Sequence, residues 1–105
     1  MLFIETPIFT KEVRALLHDD EYRFLQSAIL LRPEQGAVIP GSGGLRKLRW
    51  GISRKGKRGG IRVIYYWERE QETIFMLFVY PKYKHEDLTP AQLRVLSRLT
   101  WEEFK

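Results

Sequence analysis

Four side chains of this chain have the chemistry needed to act on a phosphodiester: Lys47, Arg49, Arg62 and His85. Arginine holds a phosphate through two parallel N–H groups, and neighbouring cations stabilise the extra negative charge of a pentacoordinate phosphorane. A lysine among other cations gives up its proton more readily and can act as a general base, whereas a histidine can donate a proton near neutral pH. Together these residues predict phosphate binding and, where they converge, cleavage of RNA.

Convergence depends on two predicted strands. In a strand over 45–52, Lys47 and Arg49 share one face, and the mostly apolar opposite face should pack against helices. A pairing of Arg49 with Ile64 would place Arg62 on the same face, and a slip of one residue would reverse this. The alternative interpretation is a solvated sheet face that uses lysine and arginine for solubility and edge protection.

Positive charge is concentrated around these strands. The 105 residues carry 18 Lys and Arg against 13 Asp and Glu, but residues 35–67 contain no acid and hold eight of the basic side chains. Four of the eight occupy the predicted hairpin tip between the strands: Arg54, Lys55, Lys57 and Arg58. Such local charge favours a polyanion as partner. We expect this tip, and Arg46 of the strand over 45–52, to contact RNA.

A second polar region follows the last predicted strand. It runs from Tyr80 to Asp87 and contains two aromatic side chains, Tyr80 and Tyr83, and three cationic or titratable ones: Lys82, Lys84 and His85. Tyr80 or Tyr83 could stack on an unpaired base, and the lysines could bind RNA. The alternative is a surface loop with an incidental histidine. The other histidine, His18, precedes two aspartates, and we expect it to have a capping or surface role.

Hydrophobic periodicity and turn residues predict a compact α+β domain with the element order β-α-α-β-β-β-α. The predicted elements are a strand at 2–5, a helix at 7–17 capped by Thr6, a second helix capped by Asp19 or Asp20 that ends before Pro33, a loop at 34–44, strands at 45–52, 61–67 and 74–80, and a helix opened by a capping box of Thr89 and Gln92. Consecutive strands with short turns predict an antiparallel sheet, with the helices on one face.

Length and composition narrow the possible classes of protein. A chain of 105 residues is expected to form one domain, 1–105. It has no cysteine, no cluster with the spacing of metal ligands, and no apolar run near the ~18–20 residues that cross a bilayer. The glycines at 41–44 precede a strand, whereas a phosphate-binding loop opens a helix. We therefore expect a soluble cytoplasmic protein that binds no membrane.

Two long motifs resemble those of the HigB branch of the RelE-like toxins of bacterial toxin–antitoxin pairs. Residues 41–49 are similar to G-[ST]-G-G-[LI]-R-K-[LIV]-R, and residues 56–66 are similar to G-K-[RS]-G-G-x-R-[VI]-[IL]-Y-Y. Residues 80–82 and 87–89 stand where the family has Y-x-K and D-L-[ST]. The likeness covers nearly the whole chain and implies the compact RelE-like fold.

The resemblance implies an endoribonuclease toxin, an mRNA interferase that cleaves messenger RNA in the ribosomal A site and inhibits translation. RelE-like enzymes use the ribose 2′-hydroxyl as nucleophile and need no metal or cofactor. By position, Lys47 and Arg49 match the basic strand pair that binds RNA and helps to activate the nucleophile, and Arg62 matches the arginine that stabilises the scissile phosphate. The partners implied are the ribosome with its mRNA and a helix-turn-helix antitoxin of the HigA type.

The sequence departs from the family pattern near the leaving group. His85 stands where many relatives have Lys or Arg, and Tyr83 stands where Asn is common. Lys82, Lys84 and His85 therefore remain alternatives for the general acid. The few acid–base groups also permit a catalytically degenerate toxin homologue that binds ribosome, RNA or antitoxin without cleavage. A double-stranded nucleic-acid binder is disfavoured, because no predicted helix has a basic face.

Overall fold

A computed structural model describes residues 1–51, 60–84 and 87–104 of the chain, with side chains as far as residue 102. The elements in chain order are β1 (Leu2–Glu5), α1 (Pro7–Leu16), α2 (Asp19–Leu31), β2 (Ala37–Val38), β3 (Arg46–Trp50), β4 (Ile61–Glu68), β5 (Thr73–Pro81) and α3 (Pro90–Phe104). The strands form one sheet in the order β1-β5-β4-β3-β2. β1 is parallel to β5, and the β3–β4–β5 meander is antiparallel as predicted. The α+β class is confirmed, and the sheet as a whole is mixed.

Capping residues explain where α1 and α3 begin. The Thr6 hydroxyl accepts a hydrogen bond from the N–H of Phe9 at 3.1 Å, so a free donor of the first turn of α1 is satisfied. At the start of α3, the N–H of Thr89 donates to the Gln92 side chain at 2.9 Å, and the N–H of Gln92 donates to the Thr89 hydroxyl at 3.1 Å. Both predicted caps are confirmed.

Two sequence predictions next to these elements are wrong. The N-cap of α2 is His18, whose backbone N–H donates to the Glu21 carboxylate at 2.8 Å, and the two aspartates lie within the first turn. That position suits them, because a helix N-terminus carries partial positive charge. The predicted loop at 34–44 contains β2, which pairs with β3. Two residues are too few for a period-2 pattern to reveal a strand.

Helices cover both faces of the sheet, so the prediction that they share one face is wrong. On one face, α1 and α2 close a core that contains Phe9, Val13, Leu25, Ile29, Val63, Tyr65 and Met76. On the other face, α3 packs through Leu96 against a second cluster that includes Leu45, Ile64 and Leu77. The central strands carry apolar side chains on both faces, and each face needs a cover. We call these the α1/α2 face and the α3 face.

Candidate active site

Lys47, Arg49 and Arg62 lie on one face of the sheet, as predicted. Arg49 pairs with Arg62 and Lys47 pairs with Ile64, so the predicted pairing of Arg49 with Ile64 is wrong by two residues. A shift of two residues keeps every side chain on its face. Directly paired side chains stand about 5 Å apart at Cβ, and diagonal neighbours about 7–8 Å. The two arginines are therefore side by side on the α3 face, with Lys47 diagonal to Arg62.

Arg62 is buried, whereas Arg49 is exposed. The side chain of Arg62 is only 3% exposed, and its Nη1 donates a hydrogen bond to the backbone carbonyl of Ile61 at 3.2 Å. A charge in such a low-dielectric setting acts more strongly on a nearby anion than a charge in water. Its guanidinium must be uncovered before a phosphate can reach it. Like charges directly opposite each other on a sheet are destabilising, so stability alone does not explain this pair.

A β-bulge in β5 determines which aromatic side chains accompany Arg62. The register of β4 and β5 shifts next to Ile64, leaving Leu77 as an extra residue in β5. The extra residue reverses the alternation, so Phe78 and Tyr80 join Arg62 on the α3 face. Tyr80 pairs directly with Arg62 and is 3% exposed. Tyr80, one of the two tyrosines expected from the sequence to stack on a base, is thus a buried neighbour of Arg62, and no sequence pattern reveals the bulge that places it there.

A cleft of about 390 Å³ opens beside Lys47. Its apolar walls come from β2 and the residue after it, from β4, and from the residues before and within α3: Val38, Ile39, Ile64, Leu88 and Leu93. At its edge the ammonium of Lys47 forms an ion pair with Asp87, with Nζ and Oδ1 2.5 Å apart. Asp87 is a residue of the site that the predicted site set missed. Its only sequence signal is its place in the Asp-Leu-Thr motif, because 40 residues separate it from Lys47.

Tyr65 of β4, on the α1/α2 face, anchors the segment that leads into β2, and β2 lines this cleft. Its hydroxyl donates to the carbonyl of Pro33 at 2.7 Å and accepts from the N–H of Gly36 at 3.0 Å, just before β2. Burial raises the pKa of Tyr65, so the hydroxyl keeps its proton for donation. A Cβ at position 36 would lie 2.9 Å from the Tyr65 hydroxyl oxygen. Glycine at 36 therefore lets the chain approach Tyr65 closely enough for both bonds.

Gly60 connects the two strands of the basic face with the segment after β5. Its backbone has φ +66°, and a Cβ there would overlap the carbonyl oxygen of Trp50 at the end of β3. Only glycine meets both conditions at low cost. The Gly60 carbonyl accepts a hydrogen bond from the N–H of Lys82 at 3.1 Å. The glycine-rich motif thus has a structural role next to Arg62.

Arg46 does not join the other basic residues of β3. It alternates to the α1/α2 face, where its Nη1 donates to the carbonyls of Glu34 and Gly36, each at 2.8 Å. These bonds brace the segment before β2. Contact of Arg46 with RNA stays a prediction from the sequence, and the structure gives this side chain a bracing role.

The second polar region lies beyond the bulge of β5. Its described members Lys82, Tyr83 and Lys84 are all exposed, and the N–H of Lys84 donates to the carbonyl of Pro81 at 3.2 Å to form a turn. Tyr83 is 63% exposed and so presents a ring to solvent. Several predicted site residues lie outside the described residues: Arg54, Lys55, Lys57, Arg58 and His85.

The described part of the chain lacks two features that would point to other functions. Within residues 1–51, 60–84 and 87–104 there is no group of three or more His, Cys, Asp or Glu that could hold a metal ion. In the same part of the chain, no helix is both long and apolar enough to span a membrane.

Comparison with known proteins shows which fold positions these residues. No family model matches the sequence. The free toxin RelE of E. coli, with two arginines replaced by alanine, is similar over 81% of this chain and 86% of its own, with TM-score 0.58 and 20% identity. RelE in the intact E. coli RelBE toxin–antitoxin complex matches over 74% and 92%, with TM-score 0.56 and 20% identity. Isolated E. coli RelE matches over 93% and 97%, with TM-score 0.57 and 16% identity. The chain thus has the fold of the RelE toxin.

Proposed function

We propose that this protein is the toxin of a type II toxin–antitoxin pair, an endoribonuclease that cleaves mRNA in the ribosomal A site and inhibits translation in the cytoplasm. The observation that carries the proposal is the placement of Lys47, Arg49 and Arg62 together on the α3 face of a RelE fold. Three neighbouring cations suit both a phosphodiester backbone and the transition state of its cleavage. The HigB-like motifs around these residues support the further proposal that the chain belongs to that branch of RelE-like toxins.

The proposed reaction is transfer of a phosphoryl group within the RNA. The ribose 2′-oxygen attacks the adjacent phosphorus, its proton passes to a base, and the bond to the 5′-oxygen of the next nucleotide breaks. The products are a 2′,3′-cyclic phosphate and a 5′-hydroxyl. Lys47 and Arg49 bind the backbone and assist loss of the 2′ proton, while Arg62 stabilises the phosphorane. His85, Lys84 or Lys82 supplies the proton to the leaving oxygen.

The apolar cleft beside Lys47 fits the unpaired bases of such a substrate. Its walls are aliphatic, and an ammonium and a carboxylate stand at its edge. A base can bury its ring faces against the walls while its phosphate lies near Lys47 and Arg49. Orientation of the mRNA by the ribosome would supply much of the barrier reduction, which suits a site with few acid–base groups.

Two macromolecular partners belong to this proposal. The ribosome would be contacted by the basic residues at 54–58 and by the exposed residues 82–84. The antitoxin would be a helix-turn-helix protein of the HigA type. Support for an antitoxin comes from the RelE fold, since one similar structure is RelE in complex with its antitoxin.

The direct test is expression of the protein, followed by mapping of mRNA ends with and without ribosomes. We expect growth arrest and cuts in phase with codons that require ribosomes. Equal cutting of naked RNA would contradict the ribosome requirement. Arg62→Ala should abolish cutting, whereas Arg23→Ala, which removes an exposed arginine of α2, should leave it unchanged. Full activity of Arg62→Ala would remove the central catalytic assignment.

A second candidate function is favoured by one observation, the 3% exposure of Arg62. A guanidinium that stays covered could not contact a phosphate, and the protein would then be a degenerate toxin that binds ribosome, RNA or antitoxin without cleavage. Ribosome binding without growth arrest or mRNA cuts on induction would select this function. Codon-phased cuts would exclude it.

A further inference from the structure

The ion pair between Lys47 and Asp87 joins opposite sides of the candidate site. Lys47 comes from β3, and Asp87 comes from the segment that leads into α3. The Lys47 side chain is 20% exposed and the Asp87 side chain 73% exposed. The ammonium is thus largely enclosed at the edge of the cleft, while the carboxylate that holds it faces solvent.

The charge of Asp87 contrasts with that of its surroundings. The sequence from 35 to 67, which supplies β3 and most of β4, has no acidic residue, so this carboxylate reaches the basic face from a distant part of the chain. Carboxylate and phosphate oxygens accept the same charge-assisted hydrogen bonds from an ammonium. Asp87 therefore occupies a position that an RNA phosphate oxygen could take on Lys47.

The energetics allow such an exchange. Ion pairs with a solvent-exposed partner contribute little stability, because water and salt screen them and both side chains lose freedom. A phosphate held nearby by Arg49 would then compete effectively for the ammonium. Until it arrives, Asp87 restricts Lys47 to one orientation at the cleft edge, and orientation before the reaction lowers the cost of reaching the transition state.

We infer that Asp87 is a positioning residue for Lys47: it holds the ammonium at the cleft edge in the RNA-free protein and gives it up to a phosphate oxygen when RNA binds. The inference rests on the proposed function in one respect, that RNA is the ligand of Lys47. It predicts that Asp87 lowers the affinity for RNA and raises the rate of the step that follows binding.

The affinity is tested with a fluorescein-labelled, 2′-O-methylated RNA 12-mer, which cannot be cleaved, by fluorescence anisotropy. Asp87→Asn should bind this probe about two- to fivefold more tightly than Asp19→Asn. The control makes the same change in net charge on an exposed residue of α2, behind the other face of the sheet. In a Lys47→Met background the difference should disappear. Equal affinities of the two asparagine variants, or a difference that survives without Lys47, would overturn the inference.

The positioning role is tested by steady-state cleavage on mRNA-programmed ribosomes. Asp87→Asn should lower KM and also lower kcat, the latter by about three- to tenfold, because Lys47 is no longer oriented. Asp87→Glu should restore kcat at least in part. A kcat equal to that of Asp19→Asn would overturn the positioning role. A residue with only a structural role would not lower KM and kcat together.

The outcomes separate this inference from the proposed function. RNA binding without cleavage by the unaltered protein would contradict the endonuclease function, and the anisotropy comparison would still decide whether Asp87 competes with RNA for Lys47. Cleavage with no effect of Asp87→Asn would leave the function standing and remove the role of Asp87. Failure of the unaltered protein to bind the probe would contradict the exchange of Asp87 for an RNA phosphate on Lys47, whereas the ribosome-dependent function would be decided by the cleavage assay.

Discussion

The two faces of the sheet differ in composition, although the same strand, β4, contributes to both. On the α1/α2 face, Val63 and Tyr65 are buried in a core closed by two helices. On the α3 face, Ile64 is equally buried, but its neighbour along the strand on that face is Arg62, a buried cation opposite another arginine. The α1/α2 face has the apolar composition that stability favours. The α3 face departs from it at the arginine pair, where cleavage is proposed. Such local departures are expected at functional sites.

The largest effect on stability is expected from the α1/α2 face. Phe9 is fully buried there, so Phe9→Ala should lower the free energy of unfolding by about 3–5 kcal/mol through lost burial and a cavity. Urea denaturation followed by circular dichroism would measure this. Phe24→Ala is the control, because that ring is 68% exposed on α2 and its loss should cost far less. Similar losses for both variants would contradict the assignment of the core.

An intermediate effect is expected from the hydroxyl that links β4 to the cleft wall. Tyr65→Phe removes the hydrogen bonds to Pro33 and Gly36 and leaves both backbone groups without that partner. The free energy of unfolding should fall by about 1–3 kcal/mol. Tyr83→Phe, at an exposed ring, should have no measurable effect. If thermal melts of the two variants coincide, the Tyr65 hydroxyl does not brace this wall.

Alkaline pH should lower the free energy of unfolding, because two tyrosines of the α1/α2 face have raised pKa values in the folded state. Burial raises the pKa of Tyr65 and of Tyr22, and the hydrogen bond that Tyr22 donates to Glu5 raises the pKa of Tyr22 further. The folded state therefore retains these protons when the unfolded state, with pKa near 10, loses them. The resulting contribution to stability is complete below pH 10 and is lost as the pH rises above it.

The expected loss is about 1 kcal/mol per tyrosine for each pH unit above 10. Urea titrations at pH 9, 10 and 11 would show it as a decline in the free energy of unfolding. The double variant Tyr22→Phe, Tyr65→Phe should show a flatter decline. A decline of the same slope in the double variant would assign the effect to other groups.

The smallest effect on stability is expected on the α3 face, and it should have the opposite sign. Arg49→Gln removes the like charge opposite Arg62 and should raise the free energy of unfolding by about 0.2–1 kcal/mol. Cleavage should nevertheless fall about tenfold, because a phosphate ligand is lost. Arg23→Gln on α2 should change neither quantity. A loss of stability in Arg49→Gln would show that the arginine pair is not a cost to the fold.

The face on which a strand residue lies and the starts of two helices could be predicted from the sequence, whereas the pairing of the strands could not. Alternation in β3 placed Lys47 and Arg49 together, and capping residues marked the starts of α1 and α3. The register of β3 and β4 could not be fixed, because the long connection between them imposes no particular pairing. The prediction was wrong by two residues, yet the faces were right, since the period of a strand is two.

The features that could not be predicted all depend on contacts between distant segments. The bulge that turns Tyr80 toward Arg62 has no local signature, and the ion pair of Lys47 joins residues 40 positions apart. The side of the sheet on which α3 packs was also missed. α3 packs on this side because the α3 face carries apolar residues that must be buried. An alternating pattern implies one buried face per strand, whereas the central strands are buried on both.

In the proposed function the α3 face performs cleavage and the α1/α2 face only supports it, and two adjacent residues of β4 separate these roles. The measurement is the rate of mRNA cleavage on programmed ribosomes, per folded molecule, for Arg62→Met and Val63→Ala. We predict a loss of about 10²–10³-fold for Arg62→Met, with unfolding free energy unchanged or raised. For Val63→Ala we predict lower stability and a nearly unchanged rate. Cleavage at the wild-type rate in Arg62→Met would show that the α3 face does not carry the chemistry.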